Sequence, residues 1–155
     1  MARLLNSLYL PLICGLLFLQ GCSAIIHDRP GVHLRLDEVN LSIAQARVVA
    51  SSLATDIASR AGVPAGRVYL DESKYNPSVT VGLQDDRGYS IEVTIYPNDR
   101  LVTLEVRNLR FHPETNERIA AHEKELAEVA RKVIESDFPG HVMRYWVPQT
   151  GAMGP

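Results

Sequence analysis

The sequence contains little cysteine and no excess of positive charge. Its two cysteines are Cys14 and Cys22, so residues 23–155 can form among themselves no disulfide, zinc–thiolate site or thiol nucleophile. Lysine and arginine number 16 against 18 aspartates and glutamates, which gives a formal net charge of −2. Without a basic excess a polyanion gains little from counterion release, so we expect no nucleic-acid partner.

Long apolar runs are also absent beyond the N-terminus. The apolar run there extends from Leu8 to Leu19 and is interrupted by Pro11 and Gly15. A transmembrane helix needs roughly twenty apolar residues, whereas a secretory signal peptide combines a basic start with a shorter run. Because Arg3 precedes this run, the pattern predicts a signal peptide over residues 1–21.

The apolar run ends in Leu19-Gln20-Gly21-Cys22, which resembles the lipobox of bacterial lipoproteins. In that class the cysteine thiol is joined to diacylglycerol through a thioether and becomes the first residue of the mature chain. The resemblance implies that Cys22 is lipidated and that acyl chains hold the protein at a membrane. Ser23 after the cysteine implies the inner leaflet of the outer membrane, facing the periplasm. An ordinary cleaved leader is the alternative, although no Ala-x-Ala cleavage site precedes Cys22.

The rest of the chain is predicted to hold one domain. Residues 22–31 form the lipid anchor and a tether that ends in Pro30-Gly31 and reaches about 30 Å at most. The domain covers residues 32–148, and residues 149–155 are expected to be a flexible tail.

Two segments repeat apolar residues at helical spacing. The first covers residues 41–61, begins with the capping-box pair Ser42 and Gln45, and is followed by Gly62 as a stop. The second covers residues 113–138. These patterns predict two amphipathic helices.

Three further segments alternate apolar with polar residues, which is typical of half-buried antiparallel strands. A hairpin loop at Asp86-Arg87-Gly88 and a turn within residues 97–100 place the same face of all three strands inward. Shorter strands are expected at Val32–Leu36 and Val142–Val147. The predicted fold is α+β, a two-layer sandwich with two helices on one face of a mainly antiparallel sheet of four to six strands. The inward residues of the three strands are Val79, Val81, Leu83, Ile91, Val93, Ile95, Val102, Leu104 and Val106.

The opposite, polar face of this sheet is the candidate binding face. The register places Glu92 opposite Glu105, with Gly82 leaving a notch beside Glu92. A cation or a basic partner side chain between the carboxylates would relieve their repulsion, and an acid–base pair is a second possibility. Alternatively the face is merely solvated, and Arg107, diagonal to Glu92, neutralises the pair. The candidate residues are Glu92, Thr94, Thr103, Glu105 and Arg107.

Other side chains give weaker indications. Tyr145 and Trp146 form a candidate aromatic contact, although Trp146 packed on the core edge is the alternative. His122 falls on the apolar stripe of the second helix, far from any obvious ligand partner, so we expect a packed or rim histidine and no metal. No nucleophile elbow, phosphate loop or dinucleotide motif is present, and we expect neither catalytic residues nor a cofactor.

The sequence therefore favours a lipid-anchored, non-catalytic module that binds or assembles a protein or envelope component. Gly31-Val32-His33-Leu34-Arg35 looks like the Gly-aromatic-x-Leu-Arg segment of the small lipoprotein of lipopolysaccharide assembly, with Val32 in place of the aromatic residue. That resemblance implies a role in lipopolysaccharide assembly. An immunity-type inhibitor of a periplasmic toxin is another alternative, and a periplasmic hydrolase using Glu92 and Glu105 is a further one.

Overall fold

A computed structural model of the chain describes residues 31–71, 75–109 and 115–146. The predicted signal peptide, Cys22, most of the tether and the tail all lie outside these ranges. In chain order the elements are β1 (Val32–Asp37), α1 (Ile43–Ala61), β2 (Arg67–Asp71), β3 (Ser78–Gln84), β4 (Tyr89–Tyr96), β5 (Leu101–Asn108), α2 (Asn116–Asp137) and β6 (Arg144–Tyr145).

The six strands form one sheet in the order β2-β3-β4-β5-β1-β6, and every neighbouring pair is antiparallel. Both helices pack against the same face of this sheet and against each other, which confirms the predicted two-layer α+β sandwich. We call the face beneath the helices the covered face and the opposite one the open face. The core lies between the covered face and the helices.

Helix α1 begins and ends where its capping residues predict. The Ser42 side chain accepts a hydrogen bond from the backbone N–H of Gln45, and Gln45 Oε1 accepts one from the backbone N–H of Ser42, 2.8 Å away. Gly62 adopts a left-handed conformation with φ 66°, which a residue without Cβ tolerates at no steric cost. The apolar stripe between these caps buries Leu53 and Ile57 in the core.

Helix α2 begins at Asn116 with Thr115 as its N-cap, slightly later than the apolar spacing predicts. Leu126 and Val133 are buried as expected. Glu128 and Lys132, four residues apart, lie outside this stripe, and Lys132 Nζ is 3.7 Å from Glu128 Oε1. Such i,i+4 pairs stabilise a helix by only about 0.2–0.5 kcal/mol, so burial of the stripe supplies most of the stability.

The two hairpins have the predicted registers. Val81 pairs with Val93, and Val93 in turn pairs with Leu104. In the first turn Gly88 has φ 89°, and Asp85 Oδ1 accepts a hydrogen bond from the backbone N–H of Tyr89 at 2.7 Å. The left-handed Gly88 gives the bulged geometry that fixes this register.

The edges of the sheet differ from the sequence prediction. Strand β2 is absent from the predicted strands, because its five residues place only Val68 and Leu70 on the covered face, which is too short an alternation to recognise. Strand β6 is limited to Arg144–Tyr145 rather than Val142–Val147. Directly before it, Met143 is buried, and its backbone N–H donates to Glu135 Oε1 on α2, 2.9 Å away, rather than to a neighbouring strand.

Candidate functional site

A row of polar positions crosses the open face of the sheet. Gly82 pairs with Glu92, Glu92 with Glu105, and Glu105 with His33. The alternation of the strands directs these residues away from the helices, as the sequence predicts for Glu92 and Glu105. Two carboxylates therefore stand directly opposite each other in neighbouring strands.

The two carboxylates have different electrostatic surroundings. Glu105 Oε1 lies 3.2 Å from Arg107 Nη1, and Glu105 Oε2 lies 3.9 Å from His33 Nδ1. Within the described residues the structure shows no comparable ion pair for Glu92. Arg107 lies opposite Ser90 and therefore diagonal to Glu92, as the sequence predicts, and its guanidinium pairs with Glu105 of its own strand.

A groove of about 290 Å³ lies over the centre of the open face. Its polar and aromatic lining consists of His33, Glu92, Thr94, Tyr96, Asp99, Thr103, Glu105 and Trp146. Most of the candidate binding face therefore lines one groove, with Trp146 from the other end of the chain. Arg107 does not line it and contributes only through Glu105. We refer to this site as the groove.

Trp146 reaches the groove through long-range strand pairing. Its backbone N–H donates to the carbonyl oxygen of His33 at 3.0 Å, which extends the pairing of β6 with β1 by one residue. The Trp146 and His33 rings meet edge to face, with centroids 6.4 Å apart and planes at 87°. An indole packed in this way forms a wall of the groove next to Glu105.

Tyr145 does not join Trp146 in this site. Consecutive residues of a strand point to opposite faces, and Tyr145 pairs with Leu34, whose side chain belongs to the core. Its side chain is 69% exposed. Tyr145 and Trp146 therefore lie on opposite faces of the sheet and do not form one joint aromatic contact.

The pKa of Tyr96 reflects its burial first and the carboxylates of the groove second. Burial raises the pKa of its hydroxyl above 10.0, a hydrogen bond with Thr94 partly opposes this, and the nearby carboxylates of Glu92 and Asp99 raise the pKa further. The groove thus resists adding another negative charge. Tyr96 was predictable from the sequence, because alternation along β4 places it on the same face as Glu92 and Thr94. Asp99 was not, because it lies in a turn, where side chains do not alternate.

The predicted notch lies on the other side of Glu92. A depression of about 520 Å³ is lined by Gly66, Arg67, Gly82 and Glu92, among others. A Cβ on Gly66 would lie 2.6 Å from the carbonyl oxygen of Gly82, so no larger residue fits at Gly66 without displacing β3. Glu92 therefore forms the wall between the notch and the groove.

His122 lies in a separate polar cluster at the rim of the helical layer. Its Nε2 is 3.5 Å from Asp85 Oδ2, its Nδ1 is 3.4 Å from Glu125 Oε2, and its ring meets that of Tyr89 edge to face. It is a rim histidine, but the expectation that it has no partner nearby was wrong. The fully buried stripe position is the adjacent Glu123.

Among the described residues no group of three or more His, Cys, Asp or Glu side chains could hold a metal ion. No helix in the same ranges is both long and apolar enough to cross a bilayer. Comparisons with protein-family models, with curated proteins and with solved structures found no match to this chain.

Proposed function

We propose that this chain is a lipid-anchored, periplasm-facing module of the bacterial envelope that binds a basic side chain of a partner protein in the groove and catalyses no reaction itself. The observation that carries the proposal is the position of Glu92. Its carboxylate faces that of Glu105, which already has Arg107 and His33 beside it. A cation entering next to Glu92 removes the remaining like-charge opposition.

The aromatic walls of the groove favour the same ligand chemistry. Tyr96 and Trp146 line the groove together with Glu92, Asp99 and Glu105. A guanidinium or ammonium group against an aromatic ring gains roughly 0.5–2 kcal/mol, depending on how far it is desolvated. Carboxylates and aromatic rings together therefore suit arginine or lysine better than a neutral or anionic group.

The size of the groove limits what it can accept. Pockets for drug-sized ligands measure about 300–1,000 Å³, and this groove, at about 290 Å³, lies just below that range. One long side chain fits such a volume. The rest of a partner protein would then lie across the threonines of the open face.

The only tryptophan of the chain lines the groove, so its fluorescence reports occupancy directly. We expect N-acetylated tri-arginine amide to change the fluorescence of Trp146 in a saturable way and N-acetylated tri-glutamate amide to leave it unchanged. Glu92→Gln should weaken the tri-arginine response. Glu117→Gln, which removes the same charge from an exposed position on α2, is the matched control. Equal responses of the two variants, or none from the parent protein, would refute a cation-binding groove.

The lipid anchor is tested separately. We expect the full-length chain, expressed in a Gram-negative bacterium, to remain with the membrane fraction and to carry acyl chains on Cys22. Cys22→Ser should release it or leave it unprocessed. Mass spectrometry of the mature N-terminus distinguishes a lipidated cysteine from an ordinary cleaved leader, whatever the peptide titration shows.

A further inference from the structure

Strand β2 forms one edge of the sheet. Within the described residues it pairs with β3 alone, so one side of its backbone meets no other strand. An unpaired edge presents N–H and C=O groups that another strand can bind, and proteins commonly block such edges with charged side chains, proline or a bulge. The centre of β2 is Val68-Tyr69-Leu70, three residues that favour pairing and include none of these blocks.

The sequence of β2 is complementary to itself when two copies run antiparallel about Tyr69. Arg67 then lies opposite Asp71 of the second copy, and Val68 lies opposite its Leu70. Within one chain Val68 pairs with Val81 and Leu70 with Val79, both on the covered face, so Arg67 and Asp71 belong to the open face. Apolar residues therefore meet apolar residues beneath the helices, and opposite charges meet on the other side.

We infer that the β2 edge binds a second copy of this chain, giving a two-fold symmetric dimer with one continuous sheet. Two ion pairs between Arg67 and Asp71 fix the register, since sliding the strands by two residues breaks both pairs. The dimer also covers Val68, whose side chain is 41% exposed at the edge. A two-fold axis perpendicular to the sheet leaves both grooves open and on the same face.

Charge reversal tests the inference on the full-length chain in detergent micelles, by sedimentation velocity over a range of concentrations. Arg67→Asp places two acidic residues opposite each other at both ends of the paired strands, and Asp71→Arg places two basic ones there. We expect each change to weaken self-association about tenfold or more, because attraction becomes repulsion at both contacts. The double variant R67D/D71R restores both ion pairs and should associate like the parent.

Two controls separate this dimer from other association. Arg118→Asp reverses a charge at an exposed position on α2 and should not change the association. Association through the apolar N-terminal residues would respond to none of these charges. A mixture of the R67D and D71R chains should form mixed dimers more readily than either forms alone. A monomeric parent at every concentration, or a double variant no better than the single ones, would overturn the inference.

Discussion

The two faces of the sheet are built from alternate residues of the same strands, yet they are specified in different ways. In β4, Ile91, Val93 and Ile95 are almost completely buried on the covered face, while Glu92 and Tyr96 on the open face remain partly exposed. Burying one such aliphatic side chain gains about 1.5–3 kcal/mol, whereas a polar pair across two strands gains about 0.2–1 kcal/mol.

Because of this difference in energy, the two faces have different roles. The covered face supplies stability, and many similar apolar side chains share that task, so the pattern is redundant and easily recognised in the sequence. The open face contributes little to folding and can therefore carry opposed carboxylates at little cost. Its arrangement depends on single residues, such as Glu92 and Trp146, and each of them can be tested.

The largest expected contrast is between neighbouring residues of β4. Ile91→Ala should lower the free energy of unfolding by about 2–5 kcal/mol, because it leaves a cavity in the core. Ser90→Ala, one residue earlier on the open face, should change it by less than about 0.5 kcal/mol. Urea unfolding followed by circular dichroism measures both. If both variants lose a similar free energy of unfolding, the covered face is not the main source of stability.

Glu123 breaks the simple rule that the helical layer contributes only apolar groups to the interior. Its side chain is 3% exposed, and its Oε1 accepts a hydrogen bond from the backbone N–H of Asn108 at 3.0 Å, which joins α2 to the end of β5. Glu123→Ala should cost about 1–3 kcal/mol, since it removes the acceptor of this part-buried backbone N–H.

Glu123→Gln is the matched control for that variant, because the amide oxygen can still accept the Asn108 hydrogen bond. We expect its unfolding midpoint in urea to lie between those of the parent and Glu123→Ala. An alanine variant as stable as the parent would show that the buried carboxylate is tolerated rather than structural.

The sequence predicts the covered face far better than the edges and the ends. Alternation along β3, β4 and β5, together with Gly88 in the hairpin, is a local signal that repeats, so the register and the Glu92–Glu105 opposition follow from it. The apolar period of α2 leaves an uncertainty of one residue, which is why His122 was assigned to the stripe position that Glu123 occupies.

The groove is only partly predictable for a different reason. Glu92, Thr94, Thr103 and Glu105 follow from local alternation, but Trp146 reaches His33 by pairing between the two ends of the domain. No local pattern encodes that contact. Strand β2 escapes prediction because a five-residue edge strand offers only two covered-face residues, too few to establish a pattern.

A smaller effect distinguishes the two opposed carboxylates of the open face. Glu92→Gln removes the like-charge opposition and should raise the free energy of unfolding by up to about 0.5 kcal/mol at low salt. Glu105→Gln removes the same opposition but also weakens the contacts with Arg107 and His33, so it should be neutral or slightly destabilising. The difference should shrink in 1 M salt, where exposed charges are screened. Equal effects of the two variants would show that their surroundings do not differ.

The smallest effect concerns the titration of Tyr96. Burial first and the carboxylates of Glu92 and Asp99 next raise its pKa, so its phenolate should appear at a higher pH than the ordinary 10.0. Because the unfolded chain ionises this group first, stability is fully present below pH 10 and is lost as the pH rises through the folded pKa. Difference absorbance between the parent and Tyr96→Phe isolates this tyrosine from the other five. Glu92→Gln should move the midpoint of the Tyr96 titration part of the way back toward 10, whereas Glu117→Gln should not move it. If Glu92→Gln leaves the midpoint unchanged, the charge of Glu92 does not influence Tyr96.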